Sequence, residues 1–257
     1  MADIKFHRSG GFIFNNIKID NTNDIYLLGV EKTATPKMNV YNFVVPSRNG
    51  STSYKNRYDD KYIRVVVGLY DKDIITRRLK QRQLIGSFIN VNSKLYFLDE
   101  PNLYYNAEIF DEIGITETEV FTELSIIFKC SYCLYKNNPD VIWTNTTVST
   151  IKEIINEGNF EADTLFKIKA NNACTNVVIA NETNSFTLSN LIANDEIYVD
   201  SKNMIVYKIN NLNEKVNCMT MFSGKFIKLS KGKSIISVNG TNFNVDVTLT
   251  YLDTYIC

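Results

Sequence analysis

The residues best equipped for metal or redox chemistry are five cysteines, Cys130, Cys133, Cys174, Cys218 and Cys257. Cys130 and Cys133 stand in C-S-Y-C, the spacing with which a thiolate pair grips one side of a zinc ion. A structural zinc needs two further ligands, and Cys174 and Cys218 do not form a second close pair. An odd count at wide spacing also argues against a disulfide framework. The reading adopted is buried or half-buried free thiols, with no metal and no cofactor. Histidine chemistry is narrower still, because His7 is the sole imidazole. Mechanisms with two histidines are excluded, and a Ser-His-Asp triad would have to run through His7. Carboxylates are scattered, as in Asp59-Asp60 and Glu117-x-Glu119. A glycosidase acid/base pair assembles from distant positions, so the sequence leaves that chemistry open, with solvated surface charge as the plainer account. GxGxxG, P-loop, GxSxG and HExxH motifs are all missing. The chain therefore reads as a non-enzyme.

Composition narrows the class further. Of 257 residues, 28 are basic and 28 acidic, for a net charge of zero. Nucleic acid as the main partner would require a basic field, which this balance does not supply. No apolar run reaches the roughly 18 residues of a membrane-spanning helix, so no membrane insertion is expected. The opening MADIKFHRSGGF lacks the apolar core of a signal peptide, so folding in a cytoplasm is expected. Matches to N-x-S/T at Asn49, Asn145, Asn181 and Asn239 are read as chance in an Asn-rich chain.

The elements that would have to position any site are mostly strands. Short apolar runs at 12–14, 17–19, 25–30 and 40–45 are followed by a polar stretch at 46–57, read as an extended loop rich in turn formers. YIRVVVGLY at 62–70 is apolar on both faces, which predicts a strand covered on both sides. Residues 71–90 read as the one long helix, with Asp71 or Asp73 as its cap. At 100° per residue Ile74, Ile75, Leu79, Ile85, Phe88 and Ile89 share an arc that should be buried. Arg78 and Arg82 project within that arc. They either snorkel or face a neighbouring subunit. Strands at 94–98, 104–110 and 120–129 complete a β-rich unit. The polar run at 131–147 is read as the domain boundary, giving domains at 1–132 and 133–257. Beyond it, eight short strands with frequent turn signals, Ser201-Lys202-Asn203 among them, predict a β-sandwich.

Five stretches taken in order resemble the distal tail proteins of long-tailed phages of Gram-positive bacteria. They are GFIFNNIKIDNTNDIYLLGVE at 11–31, VPSRNGSTSY at 45–54, the RQLIGSF end of the helix, IIFKCSYCLY at 126–135, and a C-terminal set. That set comprises NEGNFEADTLFKIK, GKFIKLSKGKSIISVNG and VDVTLTYLDTY. In the second stretch Ser47 replaces a usual glycine, while Arg48, Asn49 and Gly50 fit the family's loop. In the third, Phe88 stands for tryptophan and Ile89 for leucine. In the last set Ile227 and Lys231 replace prolines and Thr254 stands where arginine is common.

The resemblance implies a mainly β protein: an N-terminal β-barrel-like or sandwich domain with one α-helix, then a galectin-like β-sandwich. It implies a structural role at the virion tail tip, assembled in the host cytoplasm. There a hexameric homo-oligomeric ring would join the major tail tube protein to the tail-associated lysin. Receptor-binding and tape-measure proteins are further expected partners, and DNA would pass the lumen unread. Closed rings use heterologous contacts, so two different patches must match. Arg48, Asn49, Gly50 and Arg57 in the 46–57 loop, with Arg78 and Arg82 on the helix, are the expected interface residues. Simple exposure is the rival account of the loop. Two other function classes compete: a carbohydrate-binding host-adhesion module in the second domain, and a cell-wall hydrolase. The second domain has no His and no Arg, and its only tryptophan is Trp143. That is a poor set for galectin-type sugar recognition.

Overall fold

The computed structural model describes residues 10–22, 24–44, 46, 49–89, 91–210 and 212–256, without side chains at 52–56. The protein is mainly β, with one α-helix, Ile74–Phe88, and one 3₁₀ turn, Met219–Met221, among the described residues. The chain folds as two compact units, one running to Tyr135 and including Ile256, the other Lys136–Tyr255.

In the first unit, Lys61–Tyr70 is the central strand. It pairs antiparallel with Phe121–Cys130 over its whole length and with Ile25–Lys32 on its other side. Ile63, Val65, Val67 and Leu69 are fully buried, and across the ladder Leu124, Ile126 and Phe128 share that face. The opposite face is not covered as its apolar pattern predicts, since Tyr62 stays 45% exposed and Arg64 is exposed. One side of an antiparallel sheet can remain in water at no hydrogen-bonding cost. Ser93–Phe97, Leu103–Ile109 and the short Phe12–Phe14 and Ile17–Ile19 strands extend the sheet. Phe12, Phe14, Phe88 and Phe128 meet as an aromatic cluster, with centroids 4.9 to 6.5 Å apart. That cluster fixes the C-terminal end of the helix on the inner face. A Cβ on Gly68 would stand 2.2 Å from the Phe121 ring, so this strand position must stay bare.

Two expectations fail here for instructive reasons. The polar stretch after Pro46 is not one long loop: Thr52–Tyr58 returns as a strand against Met38–Phe43. Asn49-Gly50, with Gly50 at φ +87°, supplies the turn chemistry of a hairpin. The returning arm carries few aliphatics, so alternation could not reveal it. The helix, too, buries only Phe88 of its predicted apolar arc, with Ile85 half-buried, and turns a different row inward. Its buried residues are Arg77, Gln81, Leu84 and Phe88, while Ile75 is 77% and Leu79 53% exposed.

The second unit is a two-layer β-sandwich. One sheet has the order Lys215–Asn217, Ile205–Ile209, Glu196–Asp200, Ala162–Ala170, Val245–Tyr255, and Val141–Thr146 also pairs with the last of these. The other runs Thr150–Asn156, Gly232–Thr241, Cys174–Ala180, Ser185–Leu191, Phe222–Gly224. Inward residues alternate along most strands, and Phe166, Ile168, Val177, Phe186, Val238 and Leu249 belong to one buried cluster. Residues 201–204 turn between Glu196–Asp200 and Ile205–Ile209 as the sequence predicts. Three of the strands, Leu134–Asn137, Val141–Thr146 and Thr150–Asn156, lie in or just after the polar run read as the domain boundary, where no strand is expected.

Candidate assembly surface

The first unit's helix begins at a well-made cap. The Asp73 carboxylate accepts from the amides of Ile75 (3.2 Å) and Thr76 (3.0 Å) and from the Thr76 hydroxyl (2.5 Å). The Thr76 hydroxyl foremost, then those amides, holds the carboxyl below its usual range. One turn on, Arg77 is fully buried and has no carboxylate partner among the described residues. Its guanidinium donates to the carbonyls of Asp71 (2.9 Å), Glu119 (2.9 Å) and Thr118 (2.7 Å) and to the Thr122 hydroxyl (3.0 Å). Backbone carbonyls buried without donors each cost about 1–3 kcal/mol. The planar fork of arginine satisfies several at once. Arg77 therefore ties the helix to the 118–122 turn. Beside it, the Lys80 ammonium lies 3.1 Å from Asp71 and 3.3 Å from Asp24.

These contacts set the helix rotation, and the rotation decides what the open face presents. That face carries Ile75, Leu79 and Ile89 with Arg78 and Arg82 between them. Arg78 grips Glu117 with two hydrogen bonds, Nη2 to Oε2 at 2.8 Å and Nε to Oε1 at 3.3 Å. The guanidinium holds the Glu117 carboxyl below its ordinary range. Arg82 is exposed and has no hydrogen bond or ion pair among the described residues. At the C-terminal end of the helix, Ile85 and Ile89 line an open groove of about 400 Å³ together with Ile109, Phe110 and Ile113, and Asp111 and Glu112 complete it.

The remaining expected interface residues lie elsewhere. Asn49 and Gly50 are exposed at the hairpin turn, Arg57 is exposed on its returning strand opposite Asn39, and Arg48 lies outside the described residues. No hydrogen bond or ion pair among the described residues joins this group to Arg78 or Arg82. Sequence reasoning missed Arg77, which the hydrophobic arc excludes. Its only signal is that it shares the i, i+4, i+7, i+11 row ending at Phe88.

The reactive side chains are placed as follows. Cys130, Cys133, Cys174 and Cys218 are buried, and burial pushes the Cys130 thiol up to about 12. Among the described residues no three His, Cys, Asp or Glu side chains cluster as metal ligands. His7 and Cys257 lie outside the described residues. Trp143 is buried at 3% exposure in the sandwich core, so its ring is not available to stack on a sugar.

Residues 157–255 match the family model described as siphovirus-type tail component, C-terminal domain. No curated protein matches the chain in sequence. The chain is similar in fold to the crystal structure of the SPP1 Dit (gp 19.1) protein, called there a paradigm of the hub adsorption apparatus in phages infecting Gram-positive bacteria. The TM-score is 0.71 at 12% identity, covering 96% of this chain and 99% of that one. Two structures of the phage P2 baseplate in its activated conformation, with Ca and with Sr, give a TM-score of 0.49 at 10% identity. They cover 94% of this chain and 97% and 96% of theirs. The second unit thus carries a region that fits the siphovirus-type tail component C-terminal domain, and the chain shares its fold from end to end with the SPP1 Dit protein.

Proposed function

We propose that the protein is a structural hub of a phage tail tip, assembled as a homo-oligomeric ring, a hexamer, that joins the tail tube to the tip. The single observation that carries this is the family match over residues 157–255, in a chain whose fold follows a hub adsorption protein over 96% of its length. On this reading the first unit builds the ring. Arg48, Asn49, Gly50 and Arg57 on the hairpin and Arg78 and Arg82 on the helix contribute to its contacts. The second unit, with a galectin-like fold, decorates the ring. The major tail tube protein binds one side, and the tail-associated lysin with any receptor-binding protein binds the other. The tape-measure protein and then DNA pass the lumen without specific recognition, which a net charge of zero permits.

The role is structural, not enzymatic. A carbohydrate-binding role for the second unit is not favoured, because its one tryptophan is buried and it has neither His nor Arg. On this reading the domain boundary is placed at 132/133, three residues before the two compact units part after Tyr135. The test is electron microscopy and light scattering of the full-length protein, alone and with tail tube protein. Rings with a mass of six chains are expected. A monomer at every concentration, with or without tube protein, overturns the reading.

A further inference from the structure

Among the described residues, strands Met38–Phe43 and Thr52–Tyr58 pair only with each other. An isolated two-stranded hairpin is marginal in water, because it has no second layer on which to bury side chains. Its base is secured, since the Tyr58 ring stacks on Tyr132 at 6.1 Å and the Asn39 amide donates to Asp59 at 2.6 Å. Beyond the base it exposes Val40, Tyr41, Phe43 and Val44 at 44 to 65%. An arm with apolar residues turned to water on both faces is built to be covered. Its charge is one-signed: residues 38–58 contain Arg48, Lys55 and Arg57 and no acid.

The groove at the end of the helix has the opposite character. Its floor is Ile85, Ile89, Ile109, Phe110 and Ile113, of which Ile89 and Phe110 are about half exposed. Its charged members are Asp111 and Glu112, both exposed and acidic. Neither carboxylate has an ion pair among the described residues.

We propose that the Met38–Tyr58 hairpin of one copy docks in the Ile85–Ile89–Phe110 groove of the next copy, Arg57 facing Asp111 or Glu112. This rests on the ring reading above and deepens it by naming the two surfaces that meet. The contact is heterologous: each copy offers one arm and one groove, so contacts continue from copy to copy until the circle closes. Charge complementarity selects a second copy of this chain, because the arm's cations and the groove's carboxylates belong to the same surface set.

The test uses full-length Phe43→Asp and Phe110→Asp, each checked for folding by circular dichroism, with Phe43→Ser and Phe110→Ser as milder replacements should either fail to fold. Mass photometry reads the assembly. Each variant alone is expected to run as a monomer. An equimolar mixture is expected to form heterodimers and stop there, since the Phe43 variant still offers a groove and the Phe110 variant still offers an arm. Arg57→Glu and Glu112→Arg should each raise the concentration for half-assembly about tenfold, and the double variant should recover most of it. Leu212→Asp, at an equally open apolar position of the second unit, should leave the mass unchanged. If wild type forms rings and both variants still do, the docking is overturned while the ring reading stands. If both are monomers and their mixture stays monomeric, the two surfaces do not meet and the proposal is also overturned. A monomeric wild type overturns both readings.

Discussion

The Ala162–Ala170 and Val245–Tyr255 strands and the Ile74–Phe88 helix solve burial by different rules. Along most of the strand pair every second residue is buried, and most of the buried ones are apolar, Phe166, Ile168, Val247 and Leu249 among them, with Thr164, Asp253 and Thr254 as polar exceptions. Two sheets face each other there, so hydropathy largely decides orientation. In the helix a fully buried arginine and a buried glutamine face inward while Ile75 and Leu79 face water. What decides orientation there is the demand of three backbone carbonyls for donors and of the phenylalanine cluster for Phe88. The difference teaches that an apolar stripe left outside is not a mistake in folding. It is surface displaced by a stronger requirement and left open to a partner.

The largest expected effect tests the strand side. Phe166→Ala removes a fully buried ring that stands 5.5 Å from Phe186 between the sheets. A loss of about 3–5 kcal/mol is expected in chemical denaturation. A loss below about 1 kcal/mol would mean that the sandwich core is not close-packed.

Arg77→Met tests the helix side. The replacement keeps much of the volume but strands the carbonyls of Asp71, Thr118 and Glu119. A loss of about 2–3 kcal/mol is expected, since the cost of unmade hydrogen bonds is offset in part by no longer burying a charge. Arg77→Lys should recover little, because an ammonium cannot span acceptors on both sides of the turn. If Arg77→Met proved neutral, hydropathy and not hydrogen bonding would have to explain the helix rotation.

Acid should separate the two regions further. Asp71, Asp73 and Glu117 around the helix are all held below their ordinary values: Asp71 by the Asp73 amide and then Lys80, Asp73 by Thr76, Glu117 by Arg78. A depressed carboxylate stabilises the fold above its unfolded value, and that stability is lost as pH falls through the folded value. The unfolded values are 3.8 for the aspartates and 4.5 for Glu117, so the loss begins below these. Hydrogen exchange at Leu84 and Phe88 should therefore accelerate on acidification before exchange at Phe166 and Leu249 does. Simultaneous acceleration would show that the helix carboxylates carry no special share.

This contrast also marks what could be read from the residues. The sandwich was legible because 165–170, 234–238 and 245–251 alternate cleanly, and the family likeness in the C-terminal stretches falls on the region the family model matches. Val141–Thr146 and Thr150–Asn156 were hidden because few of their residues turn inward, Trp143 and Ile154 among them. The helix was legible in position, 71–90 against Ile74–Phe88, and its Asp73 cap was among the two foreseen. Its face was not, because the donors that 118–122 requires come from a tertiary contact more than 40 residues away. Of the two helix arginines among the expected interface residues, Arg78 finds a partner inside the chain, Glu117.

The smallest expected effect is the most telling one for the helix. Leu79 is an apolar residue in mid-helix, and its hydropathy alone assigns it a core position where truncation costs about 2–5 kcal/mol. The structure leaves it 53% exposed on the open face, beside Arg78 and Arg82. Leu79→Ser should then shift the denaturation midpoint by no more than about 0.5–1 kcal/mol, most of it from helix propensity. The same substitution at Leu84, one of the four buried positions, should cost several times more. Equal losses at the two positions would place the apolar arc back in the core and remove the physical basis for an open helix face. A clear ratio between them ties the exposed stripe to rotation imposed by Arg77, and so to a surface that folding of the single chain does not need.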